Sequence, residues 1–284
     1  VFPRDLGPHD DYQTEWWYYT GNLTTADGRP FGFQFTIFRR ALTPPGESAA
    51  PDGDGWRSNQ VYLAHFAISD IAADAFYPAE RFSRGAAGLA GATATPYRVW
   101  LEDWSVEEIA PGQVRLRART DAVALDLTLT QTLPPVLHGD AGLSQKGPEV
   151  GNASYYYSLV QQAAAGTVTA GGEAFDVTGR AWKDHEWSTS ALSEGAVGWD
   201  WLSLQLDDGS ALMLFEIRRA DGTREAFSAG SYIAPDGTLT PLALGDWTLA
   251  VTDTWTSPTS GAEYPAGWRI TIPSLGLELT GAPQ

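Results

Sequence analysis

The densest run of chemically capable side chains is Trp182-Lys183-Asp184-His185-Glu186-Trp187. Side chains alternate along a strand, so Asp184 and Glu186 share one face and His185 and Trp187 the other. A carboxyl beside indoles is poorly solvated and tends to keep its proton, and a histidine titrates near neutrality. Together they suit proton donation and acceptance. The plainer alternative is a strand end whose charges meet solvent.

A second cluster is Glu15-Trp16-Trp17-Tyr18-Tyr19. On a strand, Glu15, Trp17 and Tyr19 face one way and Trp16 and Tyr18 the other. Desolvation among indoles would raise the Glu15 carboxyl, whereas an ion pair to an arginine such as Arg39 would make it structural. A third is Gly198-Trp199-Asp200-Trp201, where Asp200 either works between two indoles or serves a turn. His65, on a run from Ala64 to Asp70, is a candidate or a satisfied strand histidine. Tyr155, Tyr156 and Tyr157, consecutive in the chain, and Glu216 are lesser candidates.

Several known templates are absent. There is no Gly-x-Ser-x-Gly, no second histidine after His185-Glu186 to make His-Glu-x-x-His, no Gly-x-Gly-x-x-Gly before a helix, and no P-loop. Four histidines, His9, His65, His138 and His185, lie far apart in sequence and give no metal spacing. No metal and no cofactor are expected.

Strands must hold these groups, because the hydropathy pattern has period two almost throughout. Phe31, Phe33, Phe35 and Ile37 alternate with Gly32, Gln34, Thr36 and Phe38. Leu125, Leu127 and Leu129 oppose Asp126, Thr128 and Thr130. Further strands are predicted over 61–69, 97–106, 114–120, 155–163, 167–170, 173–187, 199–206, 211–218, 224–233, 247–255 and 268–272. Turns such as Asp27-Gly28 and Asp207-Asp208-Gly209 join them. Three stretches read as long connections: 42–54, 82–95 with a short helix, and 134–151. The pattern predicts an all-β antiparallel sandwich or barrel. A boundary is expected near 188–198.

The chain has 284 residues, 18 Lys+Arg against 35 Asp+Glu, and a formal charge of −17. That balance excludes nucleic-acid and anionic-membrane partners, which require a basic patch. Zero cysteine removes disulfides, thiolate nucleophiles and Cys metal sites, and suits an oxidising compartment. No run of 18 apolar residues predicts a transmembrane helix. Twelve tryptophans are the excess to explain.

In order along the chain, Glu15-Trp16-Trp17-Tyr18-Tyr19-Thr20-Gly21-Asn22-Leu23, Phe38-Arg39-Arg40, the 64–70 segment, Asp184-His185-Glu186-Trp187-Ser188 and Gly198-Trp199-Asp200-Trp201 resemble the AttH-like proteins. That family is similar to the carotenoid 1,2-hydratases and to lipocalin-like Diels–Alderases. The resemblance implies two lipocalin-like β domains, 1–190 and 191–284, with an aromatic cleft for a hydrophobic isoprenoid, lipid or polyketide. Relatives run on through a Trp-Glu-Gly segment and a last strand, so the second domain is expected to be an incomplete barrel. The family implies export, with a leader removed, although a cytoplasmic chain is the alternative. It also implies association with ABC transporters.

Hydratase members carry His-x-Trp and an Asp, which His185-x-Trp187 and Asp200 match. The implied chemistry is cofactor-free hydration of an isoprenoid double bond. Asp200 or Asp184 would be the acid and His185 the base, beside Glu186, with Trp17, Trp187 and Trp199 facing the cation. Glu15, Trp16, Tyr19, His65, Tyr156 and Trp201 would complete the cleft. The alternatives are a non-catalytic carrier and a pericyclase.

Overall fold

The structure is a computed structural model that describes residues 1–43, 58–189 and 192–283. Most of the connection expected over 42–54 lies outside the described residues. The chain forms two compact units, one of Val1–Gln145 with Glu149–Ala191, the other of Lys146–Pro148 with Leu192–Gln284. Among the described residues no helix is long and apolar enough to cross a membrane.

The first unit is one antiparallel sheet of thirteen strands. They are β1 (Thr14–Thr25), β2 (Pro30–Ala41), β3 (Gln60–Asp70), β4 (Ala75–Arg84), β5 (Ala90–Ala94), β6 (Tyr97–Leu101) and β7 (Trp104–Ala110). Then come β8 (Gln113–Arg119), β9 (Val123–Gln131), β10 (Val136–Leu137), β11 (Leu143–Gln145), β12 (Ala153–Ala170) and β13 (Glu173–Ser188). The order is β4-β3-β2-β1-β13-β12-β9-β8-β7-β6-β5, with β10 and β11 also on β12. The sheet curls around an aromatic interior. Phe31, Phe33, Phe35 and Ile37 are buried in it, as are Leu125, Leu127 and Leu129, as their alternation predicts.

Several details differ from the sequence pattern: 155–163 and 167–170 are one continuous strand, and the strand expected over 224–233 begins only at Ala229. The stretch 97–106 is a hairpin, β6 and β7, because Glu102 turns the chain in the left-handed region at φ 56°. No glycine or proline marks that turn. The stretch 82–95 holds no helix but the end of β4 and all of β5. Gly91 is required there, since a Cβ would lie 2.6 Å from the Trp100 ring. The connection over 134–151 contributes the short strands β10 and β11.

The second unit has a sheet of β14 (Ala196–Gln205), β15 (Ala211–Arg219), β16 (Ala229–Ile233) and β17 (Leu239–Ala243). A separate sheet holds β18 (Thr248–Thr256), β19 (Glu263–Ile272) and β20 (Leu277–Gly281). Leu212, Leu214, Leu242, Trp247, Ile270 and Ile272 form its core.

Candidate functional site

β13 runs between β1 and β12, and the register places the chemistry in rows. Glu15 and Tyr155 flank Trp187, Trp17 and Tyr157 flank His185, and Tyr19 and Leu159 flank Lys183. Except for Tyr155, which is exposed, these side chains are buried. Between them, on the other face, Trp16 and Tyr156 flank Glu186, and Tyr18 and Ser158 flank Asp184. One strand thus carries two networks.

The inner network centres on Glu15, which is fully buried. Its Oε1 accepts from His185 Nε2 and His9 Nδ1, each at 2.8 Å. Its Oε2 accepts from Arg39 Nε and the His9 backbone N–H, each at 2.9 Å. Burial alone would raise this carboxyl, but the hydrogen bonds from His185 and His9, with the charge of Arg39, hold it down at about 2. The expected rise is therefore reversed, because donors from three segments converge on one carboxylate. His185 is pushed down to about 4 by burial, against the pull of Glu15, and is neutral at pH 7. Nε2–H donates to Glu15, and Nδ1 lies 3.1 Å from both Tyr157 Oη and the Asp5 carbonyl. Lys183 Nζ in turn donates to Tyr157 Oη at 2.8 Å.

The same network holds the N-terminal segment. Arg39 donates to the carbonyls of His9 and Tyr12, each at 2.8 Å, and Trp17 Nε1 donates to that of Leu6 at 3.0 Å. His9 stacks on Trp187 at 3.7 Å, and Trp17 stacks on His185 at 4.9 Å. Ligand atoms of His9, Glu15 and His185 lie within 4.8 Å of one another, near enough for one cation. Four N–H donors already fill the lone pairs of the Glu15 carboxylate, however, so the arrangement reads as an ion-pair network.

The outer network centres on Asp184, which is buried. Trp182 Nε1 donates to its Oδ1 at 2.7 Å, and Ser158 Oγ donates to the same oxygen. His138 Nε2 meets Ser158 Oγ at 2.7 Å, and its ring lies 4.2 Å from that of Tyr156. Burial raises the Asp184 carboxyl to about 7, and the nearby Glu186 charge adds to the rise, against the hydrogen bonds that oppose it. Glu186, on the same face, accepts from Ser154 Oγ at 2.6 Å. Trp16 is next in the row, its ring 6.5 Å from Phe38.

The remaining candidates are not among the partners named for either network. His65 is half-exposed and meets Glu80 at 3.2 Å. Asp200 belongs to the second unit, where Arg218 Nε lies 3.3 Å from a carboxylate that is 40% exposed. Trp199 and Trp201 share its strand β14, and Trp199 is exposed. Glu216 is paired with Arg224 at 2.9 Å. Sequence reasoning did not single out Ser158, gave Tyr157 only as a lesser candidate within the Tyr155-Tyr156-Tyr157 run, and used Lys183 only as part of a motif. His9 and His138 were visible only as scattered histidines, because their partners are set by cross-strand register.

Comparisons with known proteins bear on what this scaffold is. Among curated proteins, no sequence matches the chain. Two solved structures share the fold at low identity. Kievitone hydratase from Nectria haematococca has TM-score 0.65 at 16% identity, over 92% of this chain and 73% of that one. CghA, solved with Sch210972, has TM-score 0.51 at 12% identity, over 90% and 71%. A Nitrosomonas europaea structure described as an AttH is 36% identical with TM-score 0.85, covering 96% of this chain and 81% of that one. A family model described as AttH-like matches residues 1–284, and with that relative it settles the point: the chain belongs to the AttH-like family.

Proposed function

We propose that the outer face of β13 is an acid–base site that adds water across a carbon–carbon double bond of a hydrophobic small molecule. One observation carries this reading. Two carboxyl groups two residues apart share a face, and the environment of Asp184 holds its proton to about 7. Carboxyl pairs whose surroundings differ divide the roles of acid and base. Asp184 delivers a proton to carbon, and Ser158 with His138 forms the path that returns one. The cation that develops faces the aromatic rings of Trp182 and Tyr156. Glu186 takes a proton from the attacking water.

His185, on the opposite face, positions the strand through Glu15 and touches no substrate. Trp16 and Phe38 extend an apolar path from Glu186 along the outside of the sheet. The fold shared with a kievitone hydratase supports the reaction class at the level of scaffold. Export belongs to the same reading, supported by a cysteine-free chain that suits an oxidising compartment.

The test offers a prenylated aromatic or terpenoid alkene in heavy-oxygen water and follows product mass. Asp184→Asn should lower turnover at least about 100-fold, the scale of a lost general acid, with alkene binding retained by tryptophan fluorescence. Asp200→Asn should turn over normally. Full turnover in Asp184→Asn, or loss only in Asp200→Asn, overturns the assignment.

A further inference from the structure

The chain has two lysines, Lys146 and Lys183. Lys183 is 1% exposed inside the first unit. Its Nζ makes one hydrogen bond, to Tyr157 Oη at 2.8 Å, and lies 4.8 Å from the ring centroid of Tyr97 and 5.1 Å from that of Tyr157. Among the described residues no carboxylate comes within ion-pair range of it. Burial pushes the amine down to about 7, against the attraction of Glu15 and Asp184, so a large share is neutral and nucleophilic near neutral pH.

A cavity of about 30 Å³ adjoins this amine. At roughly 10–15 Å³ of such space per water, it has room for about two waters. Tyr19, Tyr97, Leu159 and Gln162 line it, and it reaches Gly112 and Gln113 where β7 turns into β8. Gly112 is exposed, which gives a small solute an entrance. Gln162 is 3% exposed, yet its Oε1 has no hydrogen-bond partner. The hydroxyls of Tyr19 and Tyr97 meet at 2.9 Å; one hydrogen lies between them and the other is left to donate.

We propose that Lys183 is a carbamylation site whose amine takes up carbon dioxide in this cavity. The Nζ lone pair attacks the carbon, an N–C bond forms, and one C–O π pair moves to oxygen to give the carbamate. The proton shed by Nζ leaves to solvent where the cavity reaches exposed Gly112, since His185, held down at about 4, is too weak a base to keep it. No oxidant, reductant or leaving group is involved. The remaining tyrosine hydrogen serves the carbamate oxygen, and Gln162 Oε1 is an acceptor for the carbamate N–H. A linear triatomic molecule matches a space of two waters, and a larger carbonyl compound does not.

The experiment uses the whole chain in isotope-labelled bicarbonate at mildly alkaline pH. Carbamates are trapped by oxonium alkylation and located by peptide mass, with Lys146 as the internal comparison. At least about tenfold more label on Lys183 than on Lys146 is expected. Cyanate, a triatomic probe of the same shape, should show the same preference. Label on Lys183 at or below that on Lys146 overturns the proposal. Gln162→Leu, checked for native circular dichroism, should lower labelling of Lys183 severalfold, and unchanged labelling would overturn the cavity's part in holding the carbamate.

Discussion

Asp184 and His185 are adjacent in the chain and lie on opposite faces of β13. One joins Ser158 and Trp182; the other joins Glu15 and Tyr157. Acid and histidine in this motif therefore cannot serve one reacting atom. The two networks should separate by mutation. His185→Gln should expose backbone amides of residues 1–12 to hydrogen exchange, since His185, Arg39 and Trp17 hold that segment. Asp184→Asn should leave those amides protected. Equal exposure in both variants would show that the faces act as one unit.

Glu15→Gln should destabilise the first unit by about 3–5 kcal/mol, because it leaves Arg39 buried without its carboxylate. Urea unfolding followed by tryptophan fluorescence measures this. Wild-type stability from the same carboxyl is present above its ordinary value of 4.5. It is lost as the pH falls toward about 2, where the folded chain finally takes up the proton.

Lys183 and Asp184 should bend the pH profile in opposite senses. Between about 7 and 10.5 the unfolded chain holds a Lys183 proton that the folded chain has lost, so stability rises with pH. Between 3.8 and about 7 the folded chain holds an Asp184 proton that the unfolded chain has lost, so stability falls with rising pH. Lys183→Met should remove the alkaline rise, and Asp184→Asn the acid-side fall. Urea midpoints across pH 4 to 10, flat where these slopes are expected, would contradict both assignments.

Trp17 is 1% exposed and packs beneath His185 in the interior. Trp17→Ala should therefore cost about 3–5 kcal/mol of stability, the scale of a large core truncation. Its effect on hydrophobic-ligand binding should be no greater than unfolding explains. A stable variant with selectively weakened ligand affinity would move the ligand to the inner face.

Alternation made much of this molecule legible. The inward set Phe31, Phe33, Phe35 and Ile37, and the division of Glu15, Trp17 and Tyr19 from Trp16, follow from side chains alternating along a strand. The opposition of Asp184 and His185 followed equally. What did not follow depended on pairing between distant segments. His138 reaches Ser158 because the chain after β10 lies against β12, and no local pattern encodes that. Glu15 has a lowered rather than a raised pKa because His9, Arg39 and His185 arrive from three separate elements. The Glu102 turn was hidden because a glutamate, not a glycine, adopts the left-handed conformation. The tryptophan excess has more than one cause. Trp17, Trp104 and Trp247 are core, Trp182 is buried on the acid face with Trp16 beside it, and Trp199 and Trp255 are exposed.

The scarcity and burial of lysine carry a practical consequence. Lys146 is 8% exposed and Lys183 1%, so neither presents a freely accessible side-chain amine. Immobilisation through lysine esters and lysine-directed cross-linking will capture the folded protein poorly. Arginine-directed or carboxylate-directed coupling will work far better. Heating or denaturant should switch lysine reactivity on, making the rate of amine acylation a direct clock for opening of the barrel wall around Lys183.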